Sequence, residues 1–254
     1  MKFGRLTVFA TVAGLGLVLH PMLSFAQSPS IYQAVAGDEN AKTPEISTEQ
    51  MRRFVAEGGA VLIDSRSRAE FDAGHIPGAV ALDVPPDEQV AAVDRLAAGD
   101  KSKTLVVYCN GPFCQASRRL GEKLASAGFS DVRRYQLGIP IWRALGGPTE
   151  IELSGIKRVF NIDRTAVFVD ARSADDFAKG SLPGTRSVPV EDVVSGKVKN
   201  FDLPEDDFNR RVILFGADAA QAKQLAEILS KRPWHNVAYF SGTFAELAAT
   251  LNVP

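Results

Sequence analysis

Cysteine is scarce. The chain of 254 residues has two, Cys109 and Cys114, both inside the stretch YCNGPFCQAS. Histidine is nearly as rare: His20 lies in the N-terminal leader region, His75 in a turn motif and His235 before a strand. Two thiolates without a nearby imidazole make a poor zinc tetrahedron, so no metal and no cofactor is expected. Copper(I) is the one ion that two thiolates alone would suit. Net charge is also lacking. At a formal −1, nothing argues for nucleic acid or an anionic membrane as a partner. Low-complexity tracts and charge blocks are absent, and the length allows one large domain or two ordinary ones.

No apolar run is long enough to span a bilayer comfortably. The run Leu6–Leu19 follows Lys2 and Arg5 and is broken by His20-Pro21. Ser24-Phe25-Ala26 then offers small residues where a signal peptidase reads. The pattern predicts a secretory signal peptide over residues 1–26, cut after Ala26, with an uncleaved anchor as the alternative. No cysteine follows the run, which excludes a lipoprotein. The mature protein is expected outside the cytoplasm, most simply in a bacterial periplasm, where disulfides persist. No membrane contact is expected after signal cleavage.

The chain does contain a repeat. VLIDSRSRAEFDAGHIPGAVALDV from Val61 is answered by VFVDARSADDFAKGSLPGTRSVPV from Val167. The aspartates are offset by 170 − 64 = 106 and the prolines by 183 − 77 = 106. A second block from Thr104 is answered from Arg211, with Gly216 standing opposite Cys109. In the first copy, Val61–Asp64, Ala79–Leu82, Leu105–Tyr108 and Asp131–Tyr135 read as short apolar strands covered on both faces. Glu49–Glu57, Arg68–Ala73, Glu88–Ala97, Gln115–Ala127 and Ile139–Leu145 read as helices. Alternating strands and helices predict an α/β fold with two tandem domains, each a parallel sheet flanked by helices. The boundaries drawn are a linker over 27–44, a first domain over 45–147 and a second over 148–254, with a seam near Gly146-Gly147-Pro148.

Cys109 follows a parallel strand and precedes a helix, so it sits where open α/β sheets put their ligand sites. Backbone N–H groups at a helix N-terminus favour an anion, be it a thiolate or a persulfide. Cys114 has three readings: a small packed residue, a thiol that resolves a persulfide or sulfenate on Cys109, or a partner in a resting disulfide. The five-residue separation across a curled loop argues that the two Cα atoms stand too far apart to bond without movement.

Asp64-Ser-Arg66, Glu70-Phe71, the run Gly74-His75-Ile76-Pro77-Gly78-Ala79, Tyr108-Cys109 and Gly138-x-x-x-Trp142 together resemble the rhodanese, or sulfurtransferase, superfamily. The second copy is similar through Asp170-Ala-Arg172, Phe177 and Leu182-Pro183-Gly184. The resemblance implies that Cys109 is catalytic, taking sulfane sulfur from a donor such as thiosulfate or polysulfide and passing it to a thiol acceptor. It implies a substrate and persulfide loop of Asn110, Gly111, Pro112, Phe113, Cys114 and Gln115. Many members carry Arg five residues after the cysteine. Here that position is Cys114, so thiosulfate is expected to be a poor donor, with Arg118 and Arg119 as candidate replacements for anion binding. The same lack of Arg argues against phosphoryl chemistry at a cysteine loop. The second domain has no cysteine and cannot carry persulfide; packing, substrate access or a periplasmic protein partner is its expected use. In the familiar two-domain enzymes the C-terminal domain is the active one, so this chain looks reversed. The alternative reading is a non-catalytic or redox-sensing module using the cysteine pair.

Asp64 and Asp170 each end a strand with an Arg two residues on, which predicts an ion pair or a cap. His75 is read as part of a turn built by Gly and Pro, rather than as a catalytic base. Trp142 and Phe113 are candidates for the pocket mouth, or for the core.

Overall fold

The computed structural model describes residues 42–253; the signal segment, and all of the linker before residue 42, lie outside the described residues. The first half opens with α1 (Thr48–Glu57), which Ser47 starts through a capping box with Gln50. It continues through β1 (Ala60–Asp64), α2 (Arg68–Asp72), β2 (Val80–Ala81), α3 (Gln89–Leu96), β3 (Thr104–Tyr108), α4 (Gln115–Ser126), β4 (Val132–Tyr135) and α5 (Gly138–Ala144). The second half runs through β5 (Thr149–Ile151), α6 (Leu153–Arg158), a π-helical turn (Val159–Asp163), β6 (Val167–Asp170), α7 (Ala174–Lys179), β7 (Arg186–Ser187), α8 (Val190–Val194), β8 (Val212–Phe215), α9 (Ala219–Leu229), β9 (Val237–Phe240) and α10 (Phe244–Leu251).

Two parallel sheets result, ordered β2-β1-β3-β4 and β5-β9-β8-β6-β7. Their central strands are buried on both faces, and the period of two shows in the packing. Leu105 and Val107 face Leu120, Leu124 and Phe129, whereas Val106 and Tyr108 face Met51, Phe71 and Trp142. In the second sheet Val212 and Leu214 face one layer, and Ile213 and Phe215 the other.

Each sheet carries the same buried clamp. The Asp64 carboxylate, fully buried, receives Arg66 Nε at 2.9 Å and Nη2 at 2.6 Å, and the same Nη2 donates to Gly74 O at 2.8 Å. Asp170 and Arg172 repeat this, with Arg172 Nη2 reaching Gly180 O at 2.7 Å. Each pair therefore fixes a strand end to the turn after the next helix. Two buried ions are tolerated there because the carboxylate is bidentately paired and a spare guanidinium proton meets a carbonyl.

The two halves are stitched together at that turn. His75 and Glu150 exchange backbone hydrogen bonds, both 2.9 Å, as an isolated antiparallel bridge. Glu152 N donates to Asp72 O at 3.0 Å, and Ser154 Oγ to Asp72 Oδ2 at 2.6 Å. Gly155 packs so tightly that an added Cβ would stand 2.1 Å from Asp72 O. The His75 ring is buried, stacked on Phe71 with centroids 3.7 Å apart, and its Nδ1 lies 3.1 Å from Phe71 O. That is the structural role the sequence suggested for it.

Candidate active site

Strand β3 ends at Tyr108, whose buried hydroxyl accepts from Ile76 N at 3.1 Å. Burial first, and the Asp64 charge second, hold that phenol protonated well above its ordinary value. Cys109 comes next, at the carboxyl end of the strand, and is only 4% exposed. Its carbonyl accepts from Ile139 N at 3.2 Å. Gly138 makes this contact feasible: its φ is +59°, and a Cβ there would lie 2.1 Å from Cys109 O.

The loop then curls. Cys114 N donates to Gly111 O at 3.0 Å, which brings the Cα atoms of Cys109 and Cys114 to 6.2 Å, and the two sulfurs are joined in a disulfide. The expectation that the loop keeps them too far apart is therefore corrected: 6.2 Å lies within the span that disulfides bridge. The backbone bond across the turn supplies the approach that a simple residue count missed.

Cys114 is also the N-cap of α4, and no side chain caps that end. The first amides of the helix are left for an anion, whose charge the dipole favours. Asn110 and Gln115 are exposed, Gly111 is buried, and Pro112 and Cys114 are half-buried. Phe113 is 52% exposed, whereas Trp142 belongs to the core, its Nε1 donating to Pro148 O at 2.9 Å. Of the two arginines proposed for anion binding, Arg118 places Nε 3.3 Å from Glu122 Oε1 one turn on, and Arg119 is exposed on α4.

One neighbour went unread in the sequence. Asn110 Nδ2 donates to Glu70 Oε1, tying the cysteine loop to the first turn of α2. Burial opposes the Glu70 charge, but hydrogen bonds from Ser67 and Asn110 outweigh it and hold the carboxyl below its ordinary range. The pattern Ser67-x-x-Glu70 forms a capping box, a local signal that could have drawn attention to Glu70; the contact with Asn110 spans 40 positions and leaves no such signal.

The second sheet builds the corresponding place differently. Six residues, 109–114, separate β3 from α4, but only three, 216–218, separate β8 from α9. Asp218 caps α9 by accepting from Gln221 N at 2.9 Å. Gln221 Oε1 accepts from Ala217 N at 2.8 Å, and a Cβ on Gly216 would stand 2.9 Å from that oxygen. The cradle left open in the first half is filled here by the protein's own side chains, one of them anionic.

The rhodanese-like domain family matches residues 47–145 and again 158–250. The chain belongs to the rhodanese family. A thiosulfate sulfurtransferase GlpE from Pseudomonas savastanoi is 39% identical over 95 residues, which cover 37% of this chain and 83% of that protein. An HTH-type transcriptional regulator from Mycobacterium tuberculosis is 33% identical over 119 residues, 46% of this chain; the chain thus spans 50% of that relative's length. Among solved structures, a thiosulfate sulfurtransferase from Pseudomonas aeruginosa aligns over 83% of this chain and 43% of its own, with 18% identity and a TM-score of 0.39. SseA from Escherichia coli, a 3-mercaptopyruvate sulfotransferase, aligns over 79% of this chain and 98% of its own, with 19% identity and a TM-score of 0.37.

Proposed function

We propose that this rhodanese is a sulfurtransferase with one active domain, the first. The observation that carries the reading is the placement of Cys109: a nearly buried sulfur at a strand's carboxyl end, facing a helix whose N-terminus no side chain caps. Once reduced, its thiolate attacks the outer sulfur of a sulfane donor and becomes a persulfide, and loop amides among Asn110, Gly111, Phe113 and Gln115 hold the anion, since Pro112 has no N–H and the Cys114 N–H is given to Gly111 O. A thiol acceptor, or Cys114 itself, then discharges the persulfide. No charged side chain occupies the position five residues after Cys109, so polysulfide should load the site more readily than thiosulfate. The second domain serves packing or partner binding, since a capped helix and a filled cradle replace the cysteine loop. Export through residues 1–26 places this work in the periplasm; N-terminal sequencing of protein from that fraction checks it, and an intact Met1 start speaks against cleavage.

The deciding experiment is the intact mass of the reduced protein after exposure to each donor. A mass increase of one sulfur, absent in Cys109→Ser, is the expected result. An increase that persists in Cys109→Ser sinks the assignment. The disulfide itself favours one other reading, a redox-sensing module without transfer chemistry. A bond that mild dithiol fails to open in folded protein isolated from the periplasm would support that reading.

A further inference from the structure

We propose that Cys114 discharges the Cys109 persulfide and that the protein thereby releases hydrogen sulfide, making the observed disulfide the end state of a half-reaction. The inference rests on the persulfide reading above and adds the fate of the sulfur. Three features carry it. Cys114 occupies the one loop position from which the structure shows a bond to Cys109 already formed. Its backbone is fixed by the hydrogen bond to Gly111 O, and it stands at the start of α4, which no side chain caps. Cys109 is 4% exposed while Cys114 is half-buried, so the inner sulfur is screened from a bulky acceptor thiol yet open to its loop neighbour. An attacking group held within the same short loop also avoids the entropy of bringing in a second molecule.

The balance is simple. With thiosulfate, the Cys109 thiolate attacks the outer sulfur, the sulfur–sulfur bond of the donor breaks and sulfite leaves. The Cys114 thiolate then attacks Cys109 Sγ, the inner sulfur of the persulfide. The bond to the outer sulfur breaks, and that sulfur leaves with the electron pair as HS⁻, taking up a proton from solvent according to pH. Two thiols have become a disulfide, and one sulfane sulfur has been reduced to sulfide. Return to the dithiol needs a two-electron donor, of the class of a dithiol reductant. Attack on the outer sulfur instead would merely move the persulfide to Cys114.

The test is a single turnover of full-length mature protein, reduced and freed of reductant, mixed with thiosulfate or polysulfide without an acceptor thiol. Mass is followed with both donors, and free sulfide with thiosulfate. Wild type should pass through the one-sulfur adduct to a species lighter than the dithiol by two hydrogens, with an equivalent of sulfide released. Cys114→Ala and Cys114→Ser should both stop at the adduct and release none. Serine is itself a good N-cap, so it guards against loss of the helix start. A wild-type adduct as long-lived as that of the variants, or a persulfide that migrates to Cys114 without sulfide, overturns the proposal and leaves sulfur transfer standing. Absence of any adduct in all three proteins, with their thiols shown free, overturns both.

Discussion

At Asp64 and Arg66 the chemistry could be read two positions apart, and the structure bears the ion pair out in both halves. At His75 the sequence indicated a turn residue, but its burial had to be seen. Burial pushes the imidazole below its ordinary 6.5, although the Phe71 carbonyl and the carboxylates of Glu150, Glu152 and Asp64 pull the other way. Nε2 lies 4.0 Å from Glu150 and 3.9 Å from Glu152, too far for hydrogen bonds that would keep the proton. The folded protein thus favours the neutral ring, and the unfolded chain binds the proton more tightly. Stability from this group is complete above the unfolded value and is lost as pH falls from 6.5 toward the lower folded value. Urea midpoints should drop on mild acidification, before the carboxylates titrate, and His75→Asn should flatten that slope. An unchanged slope would mean that the ring does not report the seam. The Cys109–Cys114 bond was legible only as one of three options, because its formation depends on a backbone turn between Gly111 and Cys114 that no residue count expresses.

Elements were easier to read than contacts. The helix expected over Gln115–Ala127 is observed over Gln115–Ser126, and β1 and β3 each begin one residue before the expected start. Long apolar periodicity gives such assignments. The strand Thr149–Ile151 offered too few residues for a period, and the π-helical turn at Val159–Asp163 has no simple signature; both escaped notice. Helix α5 shows what an element's first residue can decide. Gly138→Ala would drive a methyl against the carbonyl of Cys109 at a positive φ. The chain must then shift β3's end away from α5, so persulfide formation should fall at least tenfold, with a stability loss of about 1–3 kcal/mol from strain. Parallel donor titrations and thermal melts measure both, and a variant with wild-type loading would show that the loop does not depend on this contact. The contrast between α4 and α9 belongs to the same scale: one helix start is open, the other is closed by Asp218, a difference that the alignment of Cys109 with Gly216 only hinted at.

Among the described residues, the two halves are joined by the β-bridge at His75–Glu150, by hydrogen bonds from Glu152 and Ser154 to Asp72, and by the close approach of Gly155 to Asp72. Tandem organisation was visible as a repeat, but this junction was not: His75 stands out in its turn motif, whereas Glu150 and Gly155, its counterparts from the second half, do not. With backbone bonds crossing the seam, the halves should melt in one transition. Gly155→Val, which cannot fit 2.1 Å from a carbonyl oxygen, should lower the midpoint or split it in calorimetry. A single unshifted peak would argue that the seam contributes little. The reactive loop also changes how the chain is connected. When oxidised, residues 109–114 form a closed ring, and half-exposed Phe113 lies inside it. A chymotryptic cut after Phe113 severs the backbone yet leaves both fragments tethered by sulfur. Nicked protein should run as one band on a denaturing gel without reductant and as two with it, so that a protease reports, molecule by molecule, which loops were shut when it arrived.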